Sequence, residues 1–339
     1  MPLTVTASQA SCGASITGVD LTQNLSEDSI AEIRSHWLQH KIVAFPNQRL
    51  SPEDLERVSQ YFGEIGEDPF FGHIDGYPNI CAIQRKADET TSIFAETFHS
   101  DWSFMPIPPA ATMLLSITIP PHGGDTLFAD QVKAFDEMPD SLRERVENLT
   151  AIHSAALGYA PDGAYGDQDQ SNGRSMTIKP SESARETCNH PLVRTHRETG
   201  KKALFSSAAY IQSFSDMNLE TAQALLMELY QYQTQEQFLY RHQWQPNMLV
   251  MWDNRSLLHA ATGGYDGYAA MAMAVRGQGG YGPSYGGGQG GGYGGGRGRG
   301  GYGGNRGGPK VTRTCHRLVQ LLKCLVAYAR AHDRDSWLT

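Results

Sequence analysis

Cysteine is scarce and scattered. The five residues Cys12, Cys81, Cys188, Cys315 and Cys324 form no Cys-x-x-Cys pair. An odd, dispersed set excludes a disulfide framework and a thiolate metal site, and it points to a reducing compartment. No apolar run approaches the ~18 residues that span a bilayer. The opening MPLTVTASQASCGAS lacks the basic and apolar segments of a secretory leader. These absences predict a soluble, cytoplasmic protein. Charge balance is missing too. The net charge is −8, but residues 1–276 hold 19 Lys and Arg against 34 Asp and Glu, whereas residues 277–339 hold 9 against 2. An acidic body followed by a basic stretch predicts two units with different jobs.

What is present is a well-mixed core sequence. Aliphatic and aromatic residues run evenly from Ile16 to about Val275, enough for a domain of roughly 200–250 residues plus appendages. Ser26 before Glu27 and Asp28 predicts a helix N-terminus, with Ile30, Ile33 and Trp37 at helical spacing. Lys41 to Phe45 predicts a buried strand. Ser51-Pro52-Glu53-Asp54 opens a second helix through Leu55, Val58, Tyr61 and Phe62. Pro108 to Ile117 predicts a strong strand, Gly123-Gly124 a tight turn, and residues 131–149 two helices, the second opened by Pro139-Asp140. Residues 156–185 are polar and rich in Gly, Asp and Ser, which predicts a long surface excursion or lid. A hairpin over 191–205, a helix from Leu219 to Tyr232 and strands at 238–244 and 248–252 complete the body. Short strands separated by turns predict a mainly β, α+β fold: an antiparallel double-stranded β-helix, or jelly roll, with flanking helices.

The chemistry centres on Thr97 to Trp102, TFHSDW. If this stretch is extended, His99 and Asp101 share one face, with Phe98 and Trp102 on the other. An imidazole and a carboxylate from one strand supply two of the three ligands of a 2-His-1-carboxylate facial triad, which leaves positions on Fe(II) open. A second His-x-Asp, His73 and Asp75, lies in the loop-rich stretch from Phe70 to Ala95. There the two side chains need not share a face. Of the twelve histidines, His259 has the best context for a third ligand: a strand ending in Met251-Trp252-Asp253-Asn254, then a turn, then the imidazole.

Over residues 14–268 the chain resembles the taurine dioxygenase (TauD/TfdA) family of Fe(II)- and 2-oxoglutarate-dependent oxygenases. The likeness rests on ITGVDL at 16–21, TFHSDWSF, Pro108-Pro109-Ala110, GGDTLFAD at 123–130, HPLVRTH at 190–196 with TGKKALF at 199–205, and WDNRSLLH at 252–259. The resemblance implies His99, Asp101 and His259 as iron ligands and catalytic centre. It also implies Thr126 as a hydroxyl contact to the 2-oxoglutarate carboxylate. It further implies use of O2, hydroxylation of a small organic, in some members anionic, substrate, and release of succinate and CO2.

The chain departs from the family after His259. Members carry arginines eleven and fifteen positions beyond the distal histidine, the first pairing with the far carboxylate of 2-oxoglutarate. Here those positions are Ala270 and Ala274, and the first basic residue is Arg276. A buried carboxylate without a cation is costly, so Arg276 is the candidate substitute in co-substrate binding. In a regular strand it lies ~20 Å beyond Ala270, so substitution requires a register shift. The asparagine that contacts taurine, four residues before the first ligand, is Ala95 here, which argues against a sulfonate substrate.

From Gly277 the composition changes abruptly, with twenty glycines through Gly308 interspersed with tyrosines, Arg297, Arg299 and Arg306. The switch near residue 269 has the form of a fusion, a frame change or an unusual splice. Residues 277–309 read as a low-complexity linker that resembles Arg-Gly-Gly tracts and cannot supply a core strand. Contact with RNA or protein through 277–310 defines the alternative function, a binding module on an impaired scaffold. Residues 310–339 read as an amphipathic helix, with Leu318, Leu321, Leu322 and Leu325 in one stripe. That stripe could dock on the body, form a homo-oligomer or meet a partner. The domain boundaries are thus 1–276, 277–309 and 310–339.

Overall fold

The structure is a computed structural model and describes residues 2–278. The expectations for the Gly-rich linker beyond Gln278 and for the amphipathic helix lie outside the described residues. The core is mainly β with few helices. Its large sheet has nine strands. At its centre, antiparallel strands Ile42–Phe45, Leu249–Asp253, Pro109–Thr118, Ala270–Gln278 and Tyr77–Arg85 lie side by side. A smaller sheet of Leu239–His242, Thr126–Asp130 and Leu257–Ala261 packs across from it. Ile42, Ala44, Val250 and Trp252 of the large sheet meet Phe128 and Leu257 of the small one in a single buried cluster.

The outer faces are covered by the helices that the capping residues announce. Helix Glu27–His40 begins at Ser26, whose hydroxyl accepts from Ser29 N. Helix Pro52–Gln60 begins with a full capping box between Ser51 and Asp54. Both pack Ile33, Trp37, Leu55 and Val58 against the large sheet. Helices Gln131–Asp136, Asp140–Val146 and Leu219–Gln233 cover the small sheet with Phe135, Leu142, Leu226 and Tyr230. Burying apolar stripes on both outer faces leaves the space between the sheets for the site.

Several expectations are corrected. The stretch 70–95 is loop-rich but contains a nine-residue strand, Tyr77–Arg85, its polar residues tolerated because Gln84 and Arg85 find partners on neighbouring loops. His73 starts a two-residue strand, and both it and Asp75 are exposed and away from the site. Residues 156–185 are not a surface excursion. Leu157, Tyr159, Ala160, Met176, Ile178 and Ala184 are buried, and Tyr159 stacks on Phe70 at 5.0 Å. Sparse apolar residues anchor this segment, so its mean polarity was misleading. Gly277 and Gln278 continue the strand that begins at Ala270 rather than opening a linker. Among the described residues no helix is long and apolar enough to cross a membrane.

Candidate active site

TFHSDW is not a strand. His99 forms an isolated antiparallel bridge with His259, and residues 101–104 turn away. The turn places Trp102 at φ 46, a strained conformation for a bulky side chain. Its indole Nε1 donates to Asp68 Oδ2 at 3.0 Å, which holds it there. Trp102 therefore lines the same cavity as His99 and Asp101, whereas Phe98 packs on the opposite side against Tyr230. His259 follows the turn after Asp253, as expected, and sits in the strand Leu257–Ala261.

His99, Asp101 and His259 are brought together. One donor atom from each lies within 4.8 Å of the others, and all three side chains are buried. His99 Nε2 and His259 Nε2 are 3.7 and 3.9 Å from Asp101 Oδ1. The His99 Nδ1–H donates to Thr97 O at 2.9 Å, so its Nε2 presents a lone pair to the shared space. Burial, with His99 beside it, pushes His259 down to about 3, and burial also lowers His99. Both rings are neutral at neutral pH, the form that binds metal. Burial opposes ionisation of Asp101, but Arg276 and the two imidazoles hold its carboxyl well below the usual carboxylate range. Two neutral imidazoles and a carboxylate with inward lone pairs fit a divalent iron.

Residues not singled out from the sequence orient this set. Thr112 Oγ1 donates to Asp101 Oδ2 at 2.6 Å, and Asn254 Nδ2 donates to Thr112 Oγ1 at 2.8 Å. Ser100 Oγ donates to the Asn254 carbonyl at 2.7 Å, and Trp252 Nε1 to Asn254 Oδ1 at 3.1 Å. The WDN motif therefore clamps the turn that carries Asp101. Asp253 of the same motif is buried between Arg255 and His196, with His196 Nε2 2.9 Å away, which ties it to the HPLVRTH segment. The recurrence of Asn254 in a quoted motif was the only sequence signal. Thr112 and Asp68 gave none.

Arg276 is buried in the same cavity. The strand pairing slips by one residue between Met271 and Ala272, far short of the distance from Ala270 to Arg276, and sets Arg276 opposite Thr112. Its Nη1 donates to Asp68 Oδ2 at 2.9 Å, and its Nε is 3.5 Å from Asp101 Oδ2. Its guanidinium also lies over Phe71 and Trp102, 5.2 and 5.4 Å from the ring centroids. Thr126 occupies the same cavity, where Trp244 Nε1 donates to its hydroxyl oxygen at 3.0 Å and leaves the hydroxyl proton available. The cavity, about 170 Å³, has Phe70, Phe71, Phe94, Phe104, Tyr159 and Tyr210 among its walls. Ala95, at φ 60, lines it without a polar group.

The chain is similar to known proteins over most of its length. The family described as taurine catabolism dioxygenase TauD, TfdA family, matches residues 2–275. An alpha-ketoglutarate-dependent 2,4-dichlorophenoxyacetate dioxygenase of Cupriavidus pinatubonensis is 31% identical over 263 residues, covering 73% of this chain and 87% of that protein. An alpha-ketoglutarate-dependent sulfate ester dioxygenase of Pseudomonas putida is 28% identical over 265 residues, covering 78% of this chain and 84% of that protein. Among solved structures, a putative alpha-ketoglutarate-dependent taurine dioxygenase from Burkholderia xenovorans superposes with a TM-score of 0.67 at 31% identity. That match covers 82% of this chain and 90% of the other.

Proposed function

The chain belongs to the TauD, TfdA family of Fe(II)- and 2-oxoglutarate-dependent dioxygenases, and we propose that residues 1–276 are its catalytic domain, with His99, Asp101 and His259 as the iron ligands. On this reading the two facing sheets are the halves of a double-stranded β-helix. The observation that carries it is the convergence of three buried donor atoms within 4.8 Å in a cavity with aromatic walls. Iron and 2-oxoglutarate, when bound, would let O2 convert a substrate C–H to C–OH, one oxygen atom going to the product and the other to succinate, with release of CO2.

The chain's own residues do the positioning. Thr97 O fixes the tautomer of His99, and Thr112 with Asn254 fixes the rotamer of Asp101. Arg276, held by Asp68, keeps Asp101 ionised at the metal end of the cavity. Thr126 is assigned to the other end of the co-substrate. It faces Ala261, two residues beyond His259 on the same inward face, which is ~7 Å along a strand and matches the reach of a five-carbon diacid. The aromatic wall excludes water from the reacting centre and offers a flat apolar surface to a small organic substrate. Ala95 and Ala274 supply no donors for a sulfonate.

Anaerobic addition of Fe(II) and then 2-oxoglutarate to the purified protein tests this. A weak visible charge-transfer band is expected, and it should vanish in His99→Ala. Folded protein that gives no band at saturating ligand removes the assignment.

A further inference from the structure

The cavity has its cations at the wrong places for a diacid. At the metal level the strand Ala270–Gln278 presents Arg276, opposite Thr112. One and two inward steps further along, opposite Leu114 and Ser116, it presents Ala274 and Ala272. Each step is ~7 Å, so the strand is uncharged over the length that lies towards Thr126. Each of the three arginines that line the cavity has an acidic protein partner. Arg276 is held by Asp68 beside Asp101. Arg85 donates to Glu89 and to the Glu89 and Thr91 carbonyls. Arg174 pairs with Asp169 and the Ser92 carbonyl. Opposite Thr126 on the small sheet lies His242, which burial pushes down to about 4 and so keeps neutral. The Thr126 hydroxyl accepts from Trp244, and the cavity lining it shares includes Leu114, Thr118 and two alanines, Ala270 and Ala272.

A pocket with a free guanidinium rejects an uncharged tail, because the buried cation is left without a partner. Here no such cation waits to be paired, and a tail without a carboxylate leaves only a hydroxyl to satisfy. We propose that this chain selects its co-substrate by shape and neutral hydrogen bonds, and accepts 2-oxo acids with uncharged tails alongside 2-oxoglutarate. The inference rests on the iron assignment above, since the 2-oxo-acid end must be held by the metal. It sets this chain apart by its residues at 270–276, not by the triad.

The test uses the full chain loaded anaerobically with Fe(II) and titrated with 2-oxoglutarate and with 2-oxopentanoate, which carries a methyl group in place of the far carboxylate. The readouts are the visible band and calorimetric Kd, not turnover. The expected result is two Kd values within tenfold of one another. In Ala270→Arg the preference for 2-oxoglutarate should rise at least tenfold. A preference above tenfold in the unaltered chain overturns the inference and leaves the iron assignment standing. Failure of the folded protein to bind Fe(II) overturns the assignment itself, and the inference with it.

Discussion

His99 and His259 are direct backbone partners: His99 N–H donates to His259 O at 3.0 Å and His259 N–H donates to His99 O at 2.8 Å. Their rings stand 4.2 Å apart, centroid to centroid. A single antiparallel bridge thus sets the spacing of the two proposed iron ligands, 160 positions apart in number. Preorganisation of this kind lets bound metal report on the fold.

Fe(II), or a redox-inert divalent substitute, should raise the thermal unfolding temperature of the protein. At a hundredfold excess over Kd the stabilisation is ~2.7 kcal/mol. In His259→Ala the same addition should leave the temperature unmoved, as read by calorimetry. A shift equal to that of the parent protein would place the metal elsewhere.

Thr112→Val keeps the shape but removes the 2.6 Å hydrogen bond to Asp101 and the acceptor for Asn254. Loss of a partner that orients a ligand costs about 10–100-fold in metal affinity. Competition with a chelator should show that weakening with little change in the far-ultraviolet dichroism spectrum.

Arg276→Gln strands Asp68 and Asp101, both buried, with no cation between them. Breaking a buried pair in this way costs about 3–5 kcal/mol. The double variant Asp68→Asn with Arg276→Gln should recover part of the loss in denaturant titration. Additive losses would mean that the two residues do not act as a pair.

Acid should destabilise the fold from pH 6.5 downwards. Burial pushes His153 down to about 3, helped by His190 and Arg194, and pushes His242 down to about 4. Between those values and 6.5 the unfolded chain takes up protons that the folded chain refuses, so stability falls as pH falls. A histidine held at about 4 withdraws on the order of 3 kcal/mol over that window. Asp253, held at about 2 against burial by Arg255 and His196, has the same sign at lower pH. In His242→Gln the slope of unfolding free energy between pH 6.5 and 4 should be shallower, and an unchanged slope would exclude His242 as a contributor.

Loss of the Ser51 hydroxyl in Ser51→Ala removes half of the capping box on helix Pro52–Gln60. About 1 kcal/mol of stability should go with it, with no effect on metal binding.

Local signals were strong wherever a residue acts on its own neighbours. Ser26, Ser51 and Pro52 mark helix starts because a cap satisfies N–H groups within three residues. Gly123 and Gly124, at φ 69 and 70, make the turn before Thr126–Asp130 because only glycine adopts that backbone without strain. The strands Ile42–Phe45, Pro109–Thr118 and Leu249–Asp253 follow from unbroken apolar runs buried on both faces. The strand Tyr77–Arg85 and the cover formed by residues 156–185 were misread because their polar side chains are satisfied by distant partners. Gln84 donates to Ser175 O, and Glu89 accepts from Ser175 N.

The order of residues alone determined the donor types, their motif contexts and the absence of arginine at 270 and 274, because these are properties of composition and spacing. Only the tertiary structure decided that Asp101 reaches His99 through a turn, not a strand, that a slipped register carries Arg276 to Asp68 and Asp101, and that every arginine in the cavity wall is already paired. Each of those outcomes depends on contacts across sheets, where long-range hydrogen bonds and buried charge override what any short window of sequence favours.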